Sequence, residues 1–545
     1  MNNERTGRRF RARHLLGLFV VLAIAGAGAV VLSNRNKTAS SNATVKVEAF
    51  ADLGGDAVII SNGRTTLADL AATLSAQGTS DAVTDNGGTF RVTKSIVIAA
   101  GGRLDATSAT IELASGDKPV AIEARGGEIR LVKSTLRAVD PVSGQTDNDP
   151  TNGRSWVAAR DGGRIVISAT TFDSVGDLAK HPAIEVAGGT TAAVLRDTII
   201  TGGSGVAVRG GGNTQMMSVT IESPKMAGIT LDAARNARLE KVTVRAGAAD
   251  GITLAGGSKD IKITDANVQS NVGDGLSIAA ASSGITVTNG LFQMNQGAGI
   301  GIDSAYGVHF TGTDSIGNAV GIDLSASSND VTIDKGRLAS NRLAGLRLGS
   351  PGAVASVTNT RIDHNDSGIL VEDGNAVIGP NNKISSNGTG IKLLDTSPGL
   401  TVTNNRVFDN FGDGMFLVSN KGVDVRKNKF ENNQFASFGV LTTGESAEWR
   451  KTNDIKPGIR FGWERIPQNF ETRILTGAGP DVPARAIPEV VTYYAPLPKL
   501  PTGAAGATVP NPLTTPNNLP PEAIAEIIRR AEKAAADAAK ALTRQ

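Results

Sequence analysis

Residues Thr403–Gly414 read TNNRVFDNFGDG and run on into Met415. Two features of this stretch recur along the chain: an asparagine three or four residues before a glycine, and an aliphatic residue directly after that glycine. The glycine–aliphatic step stands at Gly205-Val206, Gly228-Ile229, Gly251-Ile252, Gly275-Leu276, Gly299-Ile300, Gly321-Ile322, Gly345-Leu346, Gly368-Ile369, Gly390-Ile391, Gly414-Met415 and Gly439-Val440. Successive steps are 22 to 25 residues apart, the period of a solenoid.

Within each period, short alternating segments such as Ile261-Lys262-Ile263, Ile285-Thr286-Val287 and Leu400-Thr401-Val402 have strand periodicity. Three such strands per period, broken by Gly, Asn and Ser, make one coil of a parallel β-helix. Neighbouring coils then stack about 4.8 Å apart. The column Asn271, Asn295, Asn318, Asn341, Asn365, Asn387 and Asn410 falls at one turn of seven successive coils. Asparagine there can satisfy backbone groups of adjacent coils and tolerates left-handed backbone, so a structural ladder is expected.

Composition agrees with an all-β coil. Glycine supplies 65 of 545 residues and aromatics only 4%, so the core is built from small and branched side chains. With no cysteine there is no disulfide frame, thiol nucleophile or thiolate metal site. The four histidines, His14, His181, His309 and His364, are far apart in sequence, and no cofactor is expected. Neither a phosphate-binding glycine loop nor a Gly-x-Ser-x-Gly elbow occurs, and a net charge of +3 gives no reason to expect nucleic acid.

The chain divides by pattern. Residues 1–14 are arginine-rich, and 15–32 are uncharged and apolar, long enough at about 1.5 Å per residue to cross a bilayer core. The basic flank would stay in the cytoplasm and the rest of the chain outside it. Small residues at Ala25-Gly26-Ala27-Gly28-Ala29 also fit a cleaved signal peptide, which would make the protein secreted. A polar tether follows at 33–43, then an N-terminal cap at 44–89 with a short amphipathic helix over 65–74. The β-helix spans 90–445, and Asp140 to Gly153 reads as a protruding loop. Residues 446–521 form an irregular, proline-rich extension. Residues 522–545 read as a helix with one apolar stripe, which could dock a protein partner.

The Gly-Ile-x-Leu and Asn-x-Ile-x-x-Asn pieces and their spacing resemble right-handed parallel β-helix repeats of the pectate-lyase-like superfamily, over roughly residues 90–440. The segment Asn152 to Gly163 is similar to the alginate (mannuronan) C5-epimerase-like branch. That branch carries an Asp-Pro-His-Asp motif; the nearest cognate here, Gly299-Ile300-Gly301-Ile302-Asp303, keeps an aspartate without the proline and histidine. The resemblance implies polysaccharide as partner and carries no catalytic residue over.

Stacking converts register into surface. The residue before the inward aliphatic of the third strand is Arg337, Arg361, Lys383, Arg406 and Lys429 in five successive coils. Pointing outward, these would form a row suited to an acidic polysaccharide, unless Asp334, Asp363, Asp409 and Glu431 compensate them. A second outward set, Asp303, Asp323, Arg347, Glu372 and Lys392, follows the glycine–aliphatic step and offers weak catalytic candidates, as does His364 between two carboxylates. His309 is weaker still. The readings open at this stage are a membrane-anchored extracytoplasmic protein that binds or organises envelope polysaccharide, an active uronan lyase or epimerase, and a non-catalytic adhesin or spacer.

Overall fold

The computed structural model describes residues 43–461, apart from short stretches at 117, 150, 152, 178–180, 190–191, 395–398, 419–421, 442–445 and 457. The expected basic segment, apolar span, most of the tether, most of the proline-rich extension and the C-terminal helix lie outside them. Among the described residues no helix is long and apolar enough to cross a membrane.

The chain winds as a parallel β-helix with three sheets, each taking every third strand in sequence order. One coil shows the plan: Ala344–Leu348 in the first sheet, Val354–Thr358 in the second, Arg361–Asp363 in the third. The next coil pairs with it in parallel, Leu346 on Ile369, Val357 on Ile378 and Ile362 on Ile384.

The repeating glycine–aliphatic step explains the register. Ile252, Leu276, Ile300, Ile322, Leu346, Ile369, Ile391 and Met415 stack as one fully buried column, each directly on the last. Each such side chain contributes about 1.5–3 kcal/mol by leaving water. The glycine before it is required by close approach: a Cβ at Gly368 or Gly390 would collide with the carbonyl oxygen of the glycine one coil on.

The asparagine column is a ladder in the structure. Asn365 donates from its backbone N–H and from Nδ2 to Oδ1 of Asn387, at 2.9 and 3.0 Å. Asn387 does the same to Asn410, and Asn410 to Asn433. A second ladder, Asn382, Asn405, Asn428 and Asn453, runs down the turn between the second and third sheets. The opening stretch thus carries a rung of each, Asn405 and Asn410, with the exposed Asn404 left-handed between strands.

Strands already join the sheets inside the segment read as a cap. Gly55–Ser61 pairs with Ser95–Ile98 in the first sheet and with Thr44–Phe50 antiparallel. The helix α1 is Leu67–Ala76, begun at Thr66, whose Oγ1 accepts from the Asp69 N–H and donates to the Asp69 carboxylate. It buries Leu67, Leu70, Ala71 and Leu74. Thr89–Val92 and Ser95–Ile98 are separate strands, because the chain turns a corner between sheets at Thr93-Lys94. At the other end a helix α2, Ser446–Thr452, and the strands Asp454–Ile455 and Ile459–Phe461 continue the coil past residue 445.

Candidate functional site

The third sheet carries the basic row in register: Arg337 pairs with Arg361, then Lys383, Arg406 and Lys429. Asp314 and Asp454 stand at its two ends. Two carboxylates in the adjoining row compensate four of the five cations. Arg337 and Arg361 converge on Asp363, at 3.1 and 2.9 Å; Arg406 and Lys429 converge on Glu431, at 2.9 and 2.7 Å. Asp334, by contrast, is taken by Thr358, Asn359 and Lys335. Lys383, exposed in the middle, forms no ion pair among the described residues. Counting Asp314 and Asp454 at the ends, five cations stand against four carboxylates, which leaves this strip slightly positive.

Asp363 is fully buried. Burial would raise its pKa, but the His364 hydrogen bond and the Arg337 charge outweigh it and hold the carboxyl well below the ordinary range. His364 sits at left-handed φ beneath the row, 4% exposed, with Nδ1 2.7 Å from Asp363 Oδ2. It orients a carboxylate. His309 lies on the second sheet, with Nδ1 2.9 Å from Thr332 Oγ1.

The outer face of the first sheet is open only in its middle. Toward the N-terminus, Val97, Ala121, Trp156 and Ala158 form a small apolar cluster of their own. Beside it, Arg125 and Arg160 share the buried Glu123, Arg160 and Arg209 share the buried Glu185, and Trp156 donates to Glu123 and stacks on His181. Toward the C-terminus, outward Leu370 and Phe416 are buried. Between these ends the outward positions are Thr230, Thr253, Ser277, Gly301, Asp323 and Arg347, one per coil.

Here the structure joins three of the sequence candidates. Arg347 lies between Asp323, at 3.2 Å, and Glu372, at 2.8 Å. Lys392 is two coils beyond Arg347, separated from it in the row by Leu370. Asp303 is exposed just past its strand and accepts from Ser304 Oγ. The residue that sequence reasoning missed is Asp274. Its Oδ1 accepts from the Ala298 N–H at 2.7 Å, and its Oδ2 lies over Gly301, where any Cβ would strike it. Burial, with Asp250 and Asp323 adding like charge, pushes the Asp274 carboxyl up to about 6 against the opposing hydrogen bond. A carboxyl divided between its two forms near neutral pH, on an open face, can both accept and deliver a proton. Its signal in sequence, an aspartate one residue before the repeated glycine with Gly301 in the next coil, is legible only once the coil is built.

A three-sheeted right-handed parallel β-solenoid with a positive strip on one sheet and a carboxyl-rich strip on another is the class these observations define. The chain belongs to the family described as the right handed beta helix region, whose model matches residues 146–292 and 298–453. Among solved structures, a point mutant of the periplasmic alginate epimerase AlgG superposes with a TM-score of 0.56 at 14% identity, over 78% of this chain and 100% of that one. Unmutated AlgG gives 0.55 at 14% identity, over 73% and 95%. At this identity the likeness shows the fold. No curated protein matches the chain in sequence.

Proposed function

We propose that this protein binds an acidic polysaccharide along the outer face of its third sheet. One observation carries the reading: the in-register row Arg337, Arg361, Lys383, Arg406 and Lys429, spaced by about 4.8 Å and only partly compensated by Asp363 and Glu431. A linear polyanion lying parallel to the solenoid axis would meet several of these cations at once, and would do so with an affinity that falls as salt screens the contacts. The similarity in fold to a polysaccharide epimerase supports the same class of partner. We further propose that residues 15–32 hold the solenoid outside the cytoplasm, where such polymers are found.

The test is binding of the full chain to polygalacturonate across a salt series, beside the variant Arg361→Gln/Lys383→Gln/Arg406→Gln. Each carboxylate keeps one cationic partner in this variant, Arg337 for Asp363 and Lys429 for Glu431, so the fold is retained. Strongly weakened salt-sensitive binding is expected; equal binding by the variant would refute the assignment.

A second reading, a proton-transfer enzyme acting on a sugar chain, is favoured by Asp274 alone. Its strip argues against a uronan there, because a polyanion would meet Asp250, Asp274, Asp303 and Asp323 against a single cation, Arg347, that is already paired twice. Product analysis with neutral and acidic glycans, for the unaltered chain and Asp274→Asn, separates this reading from pure binding.

A further inference from the structure

In four places where two cations of this solenoid lie side by side in adjacent coils, a carboxylate of the neighbouring row is shared between them. Arg64 and Arg103, in register, share Asp105. Arg125 and Arg160 share Glu123. Arg337 and Arg361 share Asp363, and Arg406 and Lys429 share Glu431. Lys383 lacks a partner of its own, but both of its register neighbours are compensated. The pattern has a simple cause: like charges about 4.8 Å apart repel by about 1 kcal/mol even in water, and one carboxylate relieves both.

One place breaks the pattern on both columns at once. On the second sheet Arg238 is in register with Lys262, and at the turn leading into it Arg235 bridges to Lys259. All four are exposed, and none forms an ion pair among the described residues. The coils on either side add no charge to these columns, which continue as Gln215 and Thr286 in one and Gly212 and Ser283 in the other. Asp232, Glu240, Asp260 and Asp265 are near in sequence, yet none pairs with any of the four.

We infer that this quartet is a second polyanion-binding site, on a different sheet from the basic row and several coils nearer the N-terminus, in which the ligand supplies the negative groups that elsewhere come from the protein. The ligand is an anionic sugar chain. Two acidic groups a coil spacing apart would each sit between a pair of cations, and a pyranose repeat is close to that spacing. The inference rests on the proposed acidic-polysaccharide reading for the class of ligand. It adds a second point of attachment, so that one solenoid could hold two segments of polymer, or two chains.

The full chain is compared with the variant Arg235→Gln/Arg238→Gln/Lys259→Gln/Lys262→Gln and, separately, with the third-sheet triple variant. Probes are polygalacturonate, dextran sulfate, neutral dextran and duplex DNA over a salt series. The quartet variant should bind both acidic polysaccharides at least about tenfold more weakly at low salt, with a shallower dependence of log affinity on log salt, since each lost contact releases fewer counterions. It should also melt higher than the unaltered chain at low salt, with the difference closing as salt is added, because unrelieved repulsion is removed. If polygalacturonate binding falls only in the third-sheet variant, the quartet is not a site and the proposed function stands. If it falls only in the quartet variant, the inference stands and the third-sheet assignment fails. Tighter binding of duplex DNA than of either polysaccharide, or no acidic polysaccharide bound by the unaltered chain, overturns the inference.

Discussion

Replacing Asn387 by alanine isolates what one rung of the ladder contributes. The side chain is fully buried and makes four hydrogen bonds: Oδ1 accepts from the Asn365 N–H and Nδ2, and Nδ2 donates to Ile362 O and Asn410 Oδ1, all between 2.9 and 3.1 Å. Two of the partners have substitutes, since Asn365 Nδ2 also reaches Leu338 O and Asp363 O, and Asn410 Oδ1 keeps the Asn387 N–H. The Asn365 N–H has none and becomes a buried orphan. One orphan donor, one carbonyl deprived of a donor and a small void together cost about 2–4 kcal/mol. Spread over the unfolding entropy of roughly 420 residues, about 0.9 kcal/mol per K, that shifts a single cooperative melting transition by only about 2–4 °C. The sharper assay is native-state amide exchange, where the Asn365 amide should lose protection by at least about 30-fold while amides of distant coils change little. The exposed, left-handed Asn381 serves as control, and Asn381→Gly should cost only a few tenths of a kcal/mol. Unchanged exchange at Asn365 in Asn387→Ala would refute the view that the ladder holds the coils together.

Asp274→Asn should raise the melting temperature at pH 7 to 8 and leave it unchanged near pH 4. A carboxyl whose folded pKa is raised from 3.8 to about 6 stabilises the fold while protonated and loses that contribution as pH rises between those values. Gly301→Ala should destabilise the chain by about 1–3 kcal/mol through collision with Asp274, and most of that loss should disappear in Gly301→Ala/Asp274→Ala, a coupling read by a double-mutant cycle in denaturant. A reporter fused after residue 445 should be active only outside the cytoplasm, and Leu22→Arg/Ile24→Arg should block export, since each charge in an apolar span costs about 3 kcal/mol; a cytoplasmic signal from the unaltered fusion would remove the anchoring proposal.

The repeat was legible because one glycine and one aliphatic residue must occupy the same two positions in every coil, where a Cβ collides and a core column stacks. The basic row was legible for the same reason, since Arg361 and Ile362 keep their alternation through five coils and the register follows. The compensation of that row was foreseen only in part: Asp363 lies two residues from Arg361 and Glu431 two residues from Lys429, each on the same face, but Asp334 points to a different turn. Asp274 escaped notice because its chemistry depends on an absence, the missing side chain of Gly301 one coil away, and on burial that no single period displays. Arg235, Arg238, Lys259 and Lys262 look unremarkable one coil at a time; their lack of carboxylate partners is visible only when neighbouring coils are laid together.

The asparagine ladder has a direction. Each rung donates two hydrogens to the next coil and depends on nothing specific to its own place in the stack, so any coil bearing the same asparagine can follow any other. A whole period of 22 to 25 residues can therefore be gained or lost by duplication or deletion without redesigning a core or a turn. What changes is reach: every added period lengthens a charged row by about 4.8 Å and one cation. The solenoid is a molecular ruler whose graduations are inherited, and the length of polymer it grips can be adjusted by counting coils.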